Sequence, residues 1–151
     1  MRILALDPAT KCGWARIGDA KIASGVWDLS IRKDESGGMR LLRLESKLNV
    51  CLEAGLDLVV FEAARNATRN TQGALVVQAL LQGVIVLWCE KREIDYRGFS
   101  PSEIKKHATG KGNANKDLML AAARQRGWHP VDDNHADALW LLDLARKEYG
   151  S

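Results

Sequence analysis

Apolar and polar positions alternate along this chain in two rhythms, one of short solid runs and one of residues recurring every three or four places. The run at residues 3–6, Ile-Leu-Ala-Leu, suits a strand covered on both faces, and it stops at Asp7 before the turn-former Pro8. Residues 13–17 and 21–27 read as two further strands, and the Gly18-Asp19 pair between them signals a hairpin. After a polar stretch at 28–38, Leu41, Leu44, Leu48 and Cys51 recur at helical spacing, with Arg40, Arg43 and Lys47 between them. Gly55 can close that helix, and residues 57–61 form another short apolar strand that runs into Glu62. Residues 73–88 are apolar almost throughout and read as a helix that ends in Glu90, Lys91 and Arg92, followed by a weaker strand at 94–99. Ser100-Pro101-Ser102-Glu103 is a helix start, with Ser100 as N-cap, Pro101 in the first turn and Glu103 completing a capping box. Residues 117–127 are helical, Trp128-His129-Pro130 is a break, and a last helix begins near Asp132, with Arg146 and Lys147 close to its end. The predicted order is β-β-β-α-β-α-β-α-α-α, an α/β fold with five strands.

Composition narrows this picture modestly. At 151 residues and 46% hydrophobic, the chain fits one compact domain over residues 1–151. A net charge of +3 permits nucleic-acid binding without requiring it. Cys12, Cys51 and Cys89 are widely spaced and odd in number, which argues against a disulfide framework or a zinc site and for a reducing, cytoplasmic setting. The apolar run at 73–88 is about 16 residues, contains Gln78 and Gln82, and falls short of the roughly 20 that span a bilayer, so a core or interface helix is expected and no membrane partner. The start of the chain lacks the basic-then-apolar pattern of a signal peptide.

Chemistry enters with the acids. Asp7 stands where a core strand meets solvent, and it reads as a ligand or base, or else as a cap on the turn. Glu62 repeats that position on a second strand. If the two strands are neighbours, about 4.8 Å apart, their carboxylates can converge on one oxygen-liganded Mg2+ or Mn2+. In the last helix Asp133 and Asp137 lie at i and i+4, with Asn134 and His135 between them. Trp140, Leu141 and Leu144 continue the stripe from Asp137, which should turn that acid toward the sheet. Arg65 and Arg69, just after Glu62, could hold phosphates. A basic stretch from Lys105 and Lys106 through the TGKGNANK segment, with Lys111 and Lys116, could follow a polyanion along its backbone. It lacks the spacing of a nucleotide P-loop.

Four segments together resemble the RuvC-type Holliday junction resolvases of the ribonuclease H-like superfamily, including their phage and poxvirus relatives: LALDPATKCGWA around Asp7, VVFEAARNATRN around Glu62, TGKGNANK at 109–116 and NHADALWLL around Asp137. The resemblance implies a three-layer α/β fold with a five-stranded mixed sheet, a homodimer, and metal-dependent cleavage of four-way DNA junctions. It also implies that Asp7, Glu62 and Asp137 are the metal-binding acids and that Lys111 and Lys116 meet the junction backbone. Where the family usually carries another acid or a histidine, three places before Asp137, this chain has Asn134, so Asp133, Asn134 and His135 are all candidates for the fourth ligand. The chemistry implied is hydrolysis with two metal ions about 4 Å apart, bridged by Asp7. Two-fold pairing through the 71–88 helix, Leu81 included, would allow paired nicks. Rival expectations are a nuclease acting on other branched DNA or on RNA, and a junction-binding protein without catalysis. An actin-like ATPase would need two domains, for which the chain is too short.

Overall fold

The computed structural model describes residues 1–64 and 72–150. Five strands, β1 (Ile3–Asp7), β2 (Lys11–Gly18), β3 (Lys21–Asp28), β4 (Leu58–Glu62) and β5 (Asp95–Phe99), form one sheet in the order β3-β2-β1-β4-β5. The first three are antiparallel neighbours, whereas β4 joins β1 and β5 joins β4 in parallel, as expected of a mixed sheet. Each parallel step needs a crossover, and the helices α1 (Gly38–Glu53) and α2 (Gln72–Lys91) supply them. Three more helices follow, α3 (Pro101–Thr109), α4 (Lys116–Gln125) and α5 (Asp133–Tyr149).

Strand pleating sorts side chains into two cores. Ile3, Ala5, Ala15, Ile17, Leu58 and Val60 point to one face, where Ile104, Met119, Ala123 and the apolar side of α5 cover them. Leu4, Leu6, Val59 and Phe61 point to the other, against Leu44, Leu48 and Cys51 of α1 and Leu81, Ile85, Trp88 and Cys89 of α2. The fold is therefore the three-layer arrangement expected, with α1 and α2 on one side of the sheet and α3 to α5 on the other.

Two expectations need correction. The hairpin turn falls on Asp19 and Ala20, not on Gly18-Asp19: Gly18 still pairs with Lys21, and the two turn residues adopt left-handed φ of 50° and 67°. That conformation matches the twist of the strands, and Asp tolerates it well. The apolar helix ends at Lys91, among the residues expected to close it, but at 20 residues it is longer than the solid run that made it look too short for a bilayer. Over Gly73–Lys91 it is long and apolar enough, by length and composition alone, to cross a membrane. The basic segment keeps its loop, with residues 110–115 between two helices. Lys105 and Lys106 belong to α3, which carries the full capping box at Ser100 and Glu103, and Lys116 opens α4 behind the N-cap Asn115.

Candidate metal centre and nucleic-acid face

Asp7 continues the row of Ile3 and Ala5, and Glu62 continues that of Leu58 and Val60, so both acids face the layer that holds α5. The parallel register pairs Ala5 with Val60, which sets the two acids side by side at the ends of neighbouring strands. Helix α5 starts over the same strand ends. Its N-cap Asp132 accepts a hydrogen bond from the His135 amide at 2.7 Å, and one turn later Asp137 turns toward the sheet. Gly13 lets the helix come this close. It stands opposite Asp7 in the β1–β2 ladder, and a Cβ there would lie 1.9 Å from the carbonyl oxygen of Asn134. As a result, one carboxylate oxygen from each of Asp7, Glu62 and Asp137 lies within 4.8 Å of the others.

Three carboxylates at this spacing repel one another. Burial is the largest cause lifting Asp7 well above the usual carboxylate range, followed by the charges of Glu62 and Asp137, a hydrogen bond with Glu62 and the charge of Asp133. Asp137 is pushed up to about 7, again by burial first and then by Glu62 and Asp133, against the opposing pull of Lys105 and a hydrogen bond with Asp7. An all-oxygen, charge-rich donor set of this kind fits a hard divalent cation, whose charge would relieve the repulsion.

The supports of Glu62 escaped the sequence reading. Gln78 donates through Nε2 to the Glu62 carbonyl and to its Oε2, both at 3.4 Å, while the Ala64 amide donates to Gln82 Oε1 at 2.8 Å. In the sequence these glutamines only interrupt an apolar run. Two polar residues one turn apart on such a helix were the available signal.

Of the three candidates for a fourth ligand, Asn134 and His135 are employed elsewhere. Asn134 donates its Nδ2 to the Lys11 carbonyl at 2.8 Å, which ties α5 to β2. His135 is buried, its Nδ1 accepts from the Val131 amide at 3.0 Å, and its Nε2 lies 2.8 Å from Ser24 Oγ, so both ring nitrogens are engaged on the β3 side. These bonds hold Asn134 toward β2 and His135 toward β3, and His135 is not part of the group formed by the three carboxylates. Asp133, one turn before Asp137, adds its charge to Asp7 and Asp137, and stands 3.4 Å from the exposed ammonium of Lys116.

The remaining basic candidates separate. Lys105 is half-buried on the side of α3 from which its charge reaches Asp137. Lys106 turns the other way, into a cavity of about 380 Å3 shared with Phe99, Glu103, His107, Leu144, Lys147 and Glu148, which contains none of the three acids. Lys111 is exposed on the turn after α3, where its amide bonds to Thr109 Oγ1 at 3.1 Å and Gly110 takes a left-handed φ of 82°. Arg65 and Arg69 lie outside the described residues.

The raised acids make stability depend on pH in a defined direction. Their unfolded values lie near 4, so the proton each retains in the folded state stabilises the metal-free protein fully below about pH 4. That contribution is lost as pH rises through about 7, the folded value of Asp137. In EDTA the melting temperature should therefore fall by about 5 °C between pH 5 and pH 8. Mn2+ should restore it at pH 8 and do little at pH 5. A melting temperature that is flat in EDTA and unmoved by Mn2+ at pH 8 would contradict the assignment.

Known proteins match this chain across its length. Residues 3–139 fit the family model of crossover junction endodeoxyribonuclease RuvC. The enzyme of that name from Brachyspira hyodysenteriae is 28% identical over 92% of this chain and 89% of its own, and that from Mycobacterium sp. (strain KMS) is 32% identical over 93% and 80%. Among solved structures, T. thermophilus RuvC in complex with Holliday junction substrate superposes with a TM-score of 0.76 at 19% identity, covering 99% of this chain and 94% of that one. The yeast mitochondrial Holliday junction resolvase Ydc2 gives 0.57 at 14% identity, over 93% and 75%. The family match runs from the first residue of β1 past Asp137 and so takes in all three converging acids, and the chain belongs to the RuvC family.

Proposed function

We propose that the protein is a structure-specific endonuclease that resolves four-way DNA junctions by metal-dependent phosphodiester hydrolysis, with Asp7, Glu62 and Asp137 as the ligands. The convergence of these carboxylates from β1, β4 and α5, in a chain of this family, carries the reading. Two Mg2+ or Mn2+ ions held there would supply an activated water and a Lewis acid for the departing 3′ oxygen. Asp7, hydrogen-bonded to both Glu62 and Asp137, would stand at the middle of the donor set, and Asp133 would add a fourth carboxylate. Gln78 holds Glu62 in its orientation, while Lys105, Lys111 and Lys116 present positive charge to the DNA backbone. Arg65 and Arg69 remain proposed phosphate contacts by position. Asn134, the sequence feature behind a non-catalytic reading, is accounted for by its bond to the Lys11 carbonyl.

Incubation with labelled junctions, flaps, duplexes and RNA hybrids in Mg2+ tests the reading. Paired nicks confined to junctions are expected, and equal cutting of flaps or hybrids would move the substrate to branched nucleic acids at large. Lys111→Ala and Lys116→Ala should each weaken binding evenly across sequences and lower the salt slope by about one unit. Slopes left at the wild-type value would make this segment a plain turn.

A second copy of the chain completes the proposal. On α2 the exposed positions include Gly73, Val76, Leu80, Gly83, Leu87 and Glu90, a three-four repeat along one side, while Leu81, Ile85 and Trp88 are buried beneath. A repeat of that period is the seam of paired helices, and Gly83 lets two backbones approach. Leu81, expected at this contact, belongs instead to the core at 0% exposure, so a charge there would test folding alone. Leu80, 54% exposed, is the proper probe. Leu80→Glu should sediment as a folded monomer where the wild type is a dimer, and a Leu80→Glu dimer would exclude this seam.

A further inference from the structure

Helix α3 is nine residues long and has a single fully buried apolar residue, Ile104. One such anchor leaves the roll of a short helix about its own axis poorly defined. A polar attachment supplies the second. Asp143, on α5, accepts a hydrogen bond from His107 Nε2 at 2.8 Å and a forked pair from Arg126, at 2.8 Å to Oδ1 and 3.3 Å to Oδ2. The Asp143 side chain is only 15% exposed and that of His107 14%, so neither swings freely. Rings frame the joint: Trp140 lies edge-on to His107 and to Trp128, with centroids 5.9 and 4.7 Å away, and Arg126 lies over Trp128 at 5.1 Å.

His107 sits two residues after Lys105, about 200° around the helix. The two therefore occupy opposite sides of α3, so the bond that fixes His107 on Asp143 also fixes the direction in which Lys105 leaves the helix. We infer that Asp143 is a positioning residue for Lys105, which it aims at the DNA-facing side of the metal centre by holding His107. The inference rests on the proposed nuclease reading, in which Lys105 meets DNA. Lys111 lies beyond the helix end, on a turn held by Thr109 and Gly110, and its placement does not pass through His107.

Junction binding in Ca2+, which should support binding with little cutting, separates aiming from general loosening. Asp143→Asn should weaken binding about fivefold in the wild-type background and by less than about twofold when Lys105 is already alanine, yet retain its full effect when Lys111 is alanine. Should Asp143→Asn fail to fold, His107→Gln leaves the Arg126–Asp143 pair in place and runs through the same cycle. Equal losses in the Lys105→Ala and Lys111→Ala backgrounds, or wild-type binding by Lys105→Ala itself, would overturn the inference while leaving the nuclease reading intact. A wild-type protein that binds no junction at all would overturn both.

Discussion

Asp7→Asn should bind four-way junctions at least as tightly as the wild type and leave them uncut. Asn keeps the size of the side chain but cannot neutralise a cation, and Asp7 is the buried member of the group, in contact with the other two acids. Loss of its charge should cost about 4 kcal/mol of transition-state stabilisation, or roughly a thousandfold in rate. Binding is spared because the substitution takes a negative charge away from a surface that meets a polyanion. Asp137→Asn should match it, and Asp133→Asn should show its effect at limiting Mg2+. Cleavage by the Asp7 variant above a few per cent of the normal rate would remove Asp7 from the site.

Gly13→Ala should be nearly as damaging without touching an acid. Its new methyl would meet the Asn134 carbonyl carbon at 2.3 Å and the His135 amide nitrogen at 2.9 Å, and these are backbone atoms that cannot rotate aside. The first turn of α5 must lift, which should cost about 2–3 kcal/mol of stability as overpacking does. Asp137 rides on the same helix, and a shift of about 1 Å in a reacting group is enough for a hundredfold loss of rate. Denaturation midpoints and cleavage rates should fall together. Gly38→Ala, whose methyl meets only Ser36 Oγ at 3.7 Å, serves as the control with unchanged cleavage. A Gly13→Ala protein of wild-type stability and rate would mean that α5 does not need this close approach.

The acids were legible because local pattern marks them. A solid apolar run that ends in a carboxylate announces a strand end, and an acid in register with Trp140, Leu141 and Leu144 announces a helix face turned inward. The capping box at Ser100 is local too, and it forms as read. What escaped depends on partners far along the chain. Asn134 and His135 stand close to Asp137 in sequence, yet they bond to Lys11 and Ser24, 123 and 111 positions away. Asp143 is one acid among several on α5 until the fold brings His107 and Arg126 to it. Leu80 and Leu81 could not be told apart because a helix apolar on every side has no periodicity to read, and only docking on α1 and the sheet decides which of the two is covered.

The tether from Gln78 and Gln82 to the end of β4 joins the acid cluster to the helix that forms the proposed seam. A symmetric pair of such helices then works as a ruler. The separation of the two cuts is set by which rung of the stripe meets which. A slip by one repeat of seven residues would displace one protomer against its partner by about 10.5 Å along the helix, the length of roughly three base steps of a DNA strand. Gly83, as the small rung between Leu80 and Leu87, resists such a slip, because Val76 or Glu90, seven positions away, would then meet it and hold the two helices apart.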